Sequence, residues 1–106
     1  MLYAILRRDR PDKADLRARL QPDHNRYQEP FLPHIVFGGG MVMDGTDTSD
    51  DVDIRHVVGN VLIFEAPDRA TAENFHNNDP YTLNDLFETV IIEPFWQRVP
   101  PPVIVS

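Results

Sequence analysis

The sequence predicts an α+β fold of the ferredoxin-like type, a βαββαβ sandwich. Four short apolar segments have the length of strands, and two segments with helical periodicity separate the first from the second and the third from the fourth. With 106 residues, the chain is long enough for one domain with a hydrophobic core and too short for two.

The first strand and the first helix are indicated by the spacing of their apolar side chains. Residues 2–8 form an apolar run, and Pro11 then marks the start of a helix. Spacings of three and four residues place five side chains on one stripe of that helix. They are Leu16, Leu20, His24, Tyr27 and Phe31. Pro22 predicts a kink or a restart within the helix, and two further prolines end it.

The rest of the chain supplies three strands and one longer helix. Residues 34–43 predict a strand interrupted by glycines, and the Asp-rich residues 44–55 predict an exposed loop. A third strand follows at residues 57–66, and a helix at residues 68–76 begins with a typical start signal. Residues 89–96 predict the last strand.

The predicted sheet is apolar on both faces. In the first strand Leu2, Ala4 and Leu6 face one way, whereas Tyr3 and Ile5 face the other. Two helices can cover only one face, and a bare apolar sheet would exceed the apolar patch that monomers usually expose. We therefore expect a homodimer or a higher homo-oligomer, with a hydrophobic ligand on that face as the alternative.

Charge and composition exclude several classes of partner. The net charge is −7, with nine Arg and one Lys, and no basic stripe is interleaved with aromatic residues. Nucleic acids and anionic membranes are therefore not expected to bind. The apolar runs are strand-sized and the N-terminus does not resemble a signal peptide, so we expect a cytoplasmic protein.

The sequence gives no indication of a metal or a cofactor. The acidic loop fails as an EF-hand because Ser49 stands where the tight turn needs glycine and Arg55 where a glutamate must bind. The four histidines lack metal-ligand spacing, and the chain has no cysteine.

Two titratable residues are candidates for a polar pair. His24 lies on the apolar stripe, where an imidazole needs a hydrogen-bond partner, and Asp79 precedes Pro80 at a helix start. An aspartate can cap its own helix and also accept a hydrogen bond from an imidazole. The structural alternatives are a satisfied core histidine and a simple helix cap.

Other residues are candidates for the walls of a site. Arg17 lies two helical turns before His24 and could flank the same cavity, or form a surface salt bridge. Gly38, Gly39 and Gly40 predict a bend or bulge where the backbone carries no side chains. This interpretation is favoured over an anion-binding nest.

The sequence resembles the YciI-like family of dimeric α/β barrel folds. The matching segments are MLYAILRRDRPD, LRARLQPDH, FGGGM, GNVLIFEAPDRATAENF, DPY and VIIEPF, in this order over most of the chain. The resemblance implies that His24 and Asp79 form the polar pair of a cleft, and it marks Tyr81 as a further substrate-binding candidate. The sequence departs from the family at Gln21, where an arginine is common, and at Asn60, where a small hydroxyl residue is common.

Family members with known activities include a chloromuconolactone dehalogenase and a dehydrochlorinase of a chlorinated hydroxyhydroquinone, both in aromatic-ring catabolism. The resemblance thus implies a cofactor-independent enzyme in which His24 and Asp79 transfer a proton, most simply for elimination of HCl. Arg17 or Asn60 would hold an oxyanion, and Gly39, Gly40 and Tyr81 would contact the substrate. A muconolactone-isomerase-like enzyme and a non-catalytic ligand-binding or dimerisation module are the alternatives.

The resemblance stops at EPF, residues 93–95, and we expect a domain at residues 1–98 and an extension at residues 99–106. Three consecutive prolines, at residues 100–102, favour an extended polyproline conformation. Residues 99–105 are therefore predicted to be ordered and to cross onto the partner subunit, and a frayed tail is the alternative.

Overall fold

The computed structural model describes residues 1–102, which form a four-stranded antiparallel sheet with helices on one face. The predicted crossing of the C-terminal segment onto a partner concerns Val103, Ile104 and Val105, and these residues lie outside the described ones.

The element order matches the predicted βαββαβ pattern, with one additional short helix. The strands and α-helices are β1 (Leu2–Asp9), α1 (Ala14–Gln28), β2 (Ile35–Val42), β3 (Val57–Glu65), α2 (Arg69–Asn77), α3 (Pro80–Leu83) and β4 (Phe87–Phe95). Two 3-10 helices, Glu29–His34 and Ile54–His56, precede β2 and β3. The strand order is β2-β3-β1-β4 with all neighbours antiparallel, which confirms the predicted ferredoxin-like α+β class.

Local interactions explain where the helices begin. Asp68 caps α2 by accepting a hydrogen bond from the Thr71 amide at 2.8 Å, and Asp79 caps α3 through the Tyr81 amide at 2.9 Å. The restart predicted at Pro22 is wrong, because α1 passes through this residue without a break. A proline removes only one backbone hydrogen bond, and the packed stripe of α1 supports the helix on both sides of it.

The inward face of β1 changes from apolar to charged along its length. Tyr3 and Ile5 are buried in an apolar core with Phe64 and Phe75. Arg7 and Asp9 follow on the same face and are equally buried. A second apolar cluster, formed by Leu20, Tyr81, Leu86 and Phe87, lies near this charged end. The charged groups of the protein interior are thus concentrated at one end of β1.

The opposite face of the sheet exposes apolar side chains. The strand register places Phe37, Ile91 and Phe95 on this face, beside Leu6 and Val61. Phe37 is 60% exposed and Ile91 47% exposed. A face with this composition favours cover by another apolar surface.

The glycine-rich strand β2 pairs irregularly with β3 on either side of its glycines. Its register against β3 shifts between Ile35 and Phe37 and again between Met41 and Val42. The predicted irregularity therefore flanks the glycines at residues 38–40 and leaves them paired with β3. Among residues 1–102, no helix is long and apolar enough to cross a membrane.

Gly59 should be intolerant of any side chain. A Cβ atom at this position would collide with the backbone carbonyl of Arg7 and press on Arg8 Cα, whereas one at Gly39 would meet no atom within 4 Å. We expect Gly59→Ala to lower the free energy of unfolding by about 1–3 kcal/mol, because β1 and β3 must separate to accept the methyl group.

The measurement is urea denaturation of Gly59→Ala beside the matched control Gly39→Ala, which should remain within about 0.5 kcal/mol of the parent protein. Equal stabilities for the two variants would contradict the close approach of the strands.

Candidate active site

A cleft of about 470 Å³ opens between α1 and the β2-β3 half of the sheet. Six of the seven residues that the sequence suggested for a site contribute to its walls: Arg17, His24, Gly39, Gly40, Asn60 and Tyr81. The seventh, Asp79, is 0% exposed and lies behind the wall, in contact with His24.

The structure brings His24 and Asp79 into direct contact. The Nδ1 atom of His24 lies 2.8 Å from Oδ2 and 2.9 Å from Oδ1 of Asp79. Oδ1 also accepts the hydrogen bond from the Tyr81 amide that caps α3. Asp79 therefore combines the cap and the imidazole contact that its sequence position suggested.

A fully buried guanidinium completes the surroundings of Asp79. The Nη1 atom of Arg7 donates to Asp79 Oδ2 at 3.1 Å, and its Nε atom donates to Asn60 Oδ1 at 2.8 Å. The guanidinium also lies 4.7 Å above the ring of Phe87, and its Nη2 atom has no hydrogen-bond partner in the described structure. Arg7 thus links β1, β3 and the start of α3 through one side chain.

Arg17 is held by a second buried ion pair. Its Nε and Nη2 atoms donate to the two carboxylate oxygens of Asp9 at 2.6 and 2.7 Å. The expected alternative of a surface salt bridge is wrong, because the two side chains are only 4% and 7% exposed. Arg17 still lines the cleft, so a positive charge borders the cleft in a fixed position.

Tyr81 packs against both His24 and Arg17. Its ring stacks on the His24 imidazole with centroids 4.2 Å apart, and the Arg17 guanidinium lies 4.6 Å from the ring centre. Burial raises the pKa of Tyr81, so its phenol stays neutral near pH 7. The ring therefore fixes the orientation of the imidazole without adding a charge.

Asp79 is ionised at neutral pH despite its burial. Burial alone would raise the pKa of Asp79, but the hydrogen bond from His24 and the charge of Arg7 outweigh it and hold the pKa below its ordinary value. The carboxylate therefore accepts a hydrogen bond from the N–H at Nδ1 of His24, which leaves the lone pair of a neutral imidazole on Nε2. Nε2 is then the nitrogen through which His24 can take or give a proton at the cleft.

A second histidine lies behind this group. His76 Nδ1 is 3.3 Å from Arg7 Nη1 and 3.4 Å from Thr82 Oγ1. Burial and the charge of Arg7 lower the pKa of His76 to about 4. His76 is therefore neutral at physiological pH and can accept a hydrogen bond from Arg7.

Three residues of this network were not predicted from the sequence: Arg7, Asp9 and His76. The alternation of β1 contained a signal for the first two, because they continue the inward-facing positions of Tyr3 and Ile5. For His76 the only sequence signal was its position at the end of a predicted helix. Within residues 1–102, no three His, Cys, Asp or Glu side chains are grouped so that they could hold a metal ion.

The neutral state of His76 should make the protein less stable in mild acid. Between pH 6.5 and about 4 the unfolded chain binds a proton at His76 that the folded chain does not bind, so stability falls as the pH falls through this window. The full difference corresponds to about 3 kcal/mol. Asp79 adds its own loss only at lower pH, because its pKa is depressed below 3.8.

Urea unfolding at a series of pH values from 4 to 7 measures this dependence. His76→Gln should flatten it, since glutamine can accept from Arg7 and does not titrate, whereas the exposed His34→Gln should retain the slope of the parent. An unchanged slope in His76→Gln would contradict the assignment.

Comparison with solved structures identified a similar fold with a known activity. The 5-chloro-2-hydroxyhydroquinone dehydrochlorinase from Burkholderia phenoliruptrix AC1100, in complex with 2,5-dihydroxybenzoquinone, matches with a TM-score of 0.85 and 34% sequence identity. The match covers 92% of this chain and 96% of the dehydrochlorinase chain. An antibiotic biosynthesis monooxygenase is a more distant match, with a TM-score of 0.49 and 20% identity over 92% of this chain and 100% of its own.

One of two sequence comparisons identifies the family. No curated protein sequence matches the chain. A family model described as the YCII-related domain matches residues 1–96, which is almost the whole of the chain. The protein is therefore a member of the YCII-related domain family.

Proposed function

We propose that the protein is a cofactor-independent cytoplasmic enzyme that eliminates HCl from a chlorinated hydroxyquinone or lactone in aromatic-ring catabolism. The observation that carries this proposal is the contact of 2.8 Å between His24 Nδ1 and a buried, ionised Asp79, beside a cleft of ring-compound size. The similarity to a dehydrochlorinase over 92% of the chain supports the choice of reaction.

The proposed step is a proton transfer coupled to loss of chloride. His24 Nε2 takes a proton from a substrate carbon that is acidified by a neighbouring carbonyl group. The electron pair of that C–H bond forms the new C=C bond, the C–Cl bond breaks, and chloride leaves with its electron pair. Asp79 stabilises the imidazolium that forms, and the proton then passes to water.

The remaining wall residues would bind the substrate oxygens and the ring. Negative charge shifts onto the carbonyl oxygen as the proton leaves, and Arg17 and Asn60 would stabilise it there. The backbone of Gly39 and Gly40 and the ring of Tyr81 would contact the flat faces and edges of the substrate. Any enzyme that only moves a proton, such as a lactone isomerase, would need the same groups.

Replacement of His24 should reduce chloride release by about 10² to 10⁴, the usual contribution of a general acid–base group. The assay supplies 5-chloro-2-hydroxyhydroquinone under anaerobic conditions and measures chloride by ion chromatography. His24→Ala is compared with His34→Ala, an exposed histidine outside the cleft. Near-parental turnover by His24→Ala would move the chemistry elsewhere, and binding without any turnover by the parent would favour a ligand-binding module.

Asp79→Asn should show the same kinetic loss together with a structural one. The variant leaves Arg7 without its buried counter-charge, which costs about 3–5 kcal/mol of stability. Asp68→Asn is the matched control, because Asp68 also caps a helix but is exposed. Activity is therefore compared at a temperature at which circular dichroism shows both variants folded, and a fully folded, fully active Asp79→Asn would refute the role of the pair.

We further propose that the apolar sheet face forms a homodimer, with the two sheets packed against each other. Ile91 lies on this face at the centre of the edge strand β4, opposite Leu6 of β1. Ile91→Glu should dissociate the dimer, because it places a charge in an apolar interface.

Sedimentation equilibrium should give twice the mass of the chain for the parent and for Leu83→Glu, a control at a 68% exposed position on α3. It should give the mass of a single chain for Ile91→Glu. A monomeric parent would show that another surface or a ligand covers the face.

A further inference from the structure

One polar group of the cleft wall is fixed from behind by a buried guanidinium. Arg7 Nε donates to Asn60 Oδ1 at 2.8 Å, while Nη1 of the same side chain donates to Asp79. Arg7 is 0% exposed and Asn60 8% exposed. An arginine has donors and no acceptor, so only the oxygen end of the Asn60 amide can face it.

The orientation of the amide determines what Asn60 presents to the cleft. Because Oδ1 is occupied by Arg7, the NH2 group lies at the other end of the amide, and Asn60 lines the cleft. Among the hydrogen bonds of residues 1–102, the NH2 group has no acceptor. Asn60 therefore offers a donor to a bound molecule, while its carbonyl oxygen is engaged by Arg7.

The charges around Asn60 suit an anion. The carboxylate of Asp9 is occupied by Arg17 and that of Asp79 by Arg7 and His24, so neither presents a free negative charge to the cleft. Arg17 itself lines the same cleft. A hydrogen bond from an amide to an ionised oxygen is roughly twice as strong as one to a neutral oxygen.

We propose that Arg7 is a positioning residue that holds the Asn60 amide with its NH2 group toward the cleft, and that the cleft thereby selects ring compounds ionised at a hydroxyl group. The choice of ring compounds rests on the proposed function. The selection of the ionised form rests on the orientation of Asn60 and on the charges around it. The substrate class is therefore the hydroxyquinone anion or the corresponding enolate, in preference to a neutral lactone.

Asn60→Asp tests the donor directly, because aspartate has the same shape and places an acceptor oxygen where the NH2 group stands. Titration with 2,5-dihydroxybenzoquinone, followed by absorbance, should give a Kd about 100-fold higher for Asn60→Asp and about tenfold higher for Asn60→Leu. Circular dichroism should show Asn60→Asp folded, since Arg7 gains a second carboxylate. A Kd for Asn60→Asp within threefold of the parent, or no binding by the parent, would overturn the proposal.

Gln21→Glu separates the local contact from the added charge. This residue also lines the cleft, but within residues 1–102 no hydrogen bond joins it to Arg7. Gln21→Glu should raise the Kd by less than about tenfold, compared with about 100-fold for Asn60→Asp. Equal losses would mean that any negative charge in the cleft has the same effect, and the proposal would fail.

The positioning role of Arg7 requires a cycle of variants. Arg7→Lys keeps a charge beside Asp79 but cannot bridge Asp79 and Asn60, so the amide is free to turn and affinity should fall several-fold. In an Asn60→Leu background, which has no amide to orient, Arg7→Lys should change affinity by less than twofold. Equal effects in both backgrounds would reduce Arg7 to a purely structural residue and overturn the inference.

The binding experiment and the chloride assay can fail independently. Tight binding that Asn60→Asp abolishes, without chloride release by the parent, would sustain the inference and refute the elimination reaction. Chloride release by the parent, with unaltered binding by Asn60→Asp, would sustain the elimination reaction and refute the inference.

Discussion

The site depends on the interactions of one buried group, the carboxylate of Asp79. It accepts hydrogen bonds from the Tyr81 amide and from His24, and it carries the charge that balances Arg7. An ionised carboxylate in a protein interior requires such partners, because its burial is otherwise very unfavourable. The partners come from β1, α1 and α3, so one side chain joins three elements. The geometry of the imidazole is therefore a property of the whole fold and not of α1 alone.

The second buried ion pair, between Asp9 and Arg17, repeats this arrangement two residues further along β1. Asp9 and Arg17 join the end of β1 to α1, as Arg7 and Asp79 join its middle to α3. The apolar residues Tyr3 and Ile5 hold the other end of the strand in the core. β1 thus has an apolar half that stabilises the sheet and a charged half that positions the cleft. This division explains why the cleft can be polar while the domain retains a hydrophobic core.

Sequence reasoning succeeded where a local rule applied and failed where the signal required the tertiary fold. His24 was indicated by its place on a helical stripe and Asp79 by its place at a helix start, and both rules depend on neighbouring residues only. The predicted strand ended at residue 8 and so left out Asp9, while Arg7 lay inside it, but no local pattern indicates that a charge at the end of an apolar run is buried. The strand in fact continues to Asp9, and each of these charges is balanced by a residue that is distant in the sequence or lies on the next element. The restart of α1 at Pro22, one of the two outcomes predicted there, was wrong for a similar reason, since the helix continues to Gln28 against a local preference.

The glycines of β2 line the cleft, and substitutions there can change the width of the cleft without changing its polar groups. Gly40 pairs with Asn60 across the β2-β3 ladder, and a Cβ atom at Gly40 would lie 3.2 Å from a methyl group of Val57. A single methyl group there would narrow the cleft, with a shift of a few tenths of an ångström in the valine, and would touch none of the buried ion pairs. The width of the cleft can therefore change by substitutions in one strand while His24 and Asp79 keep their contact.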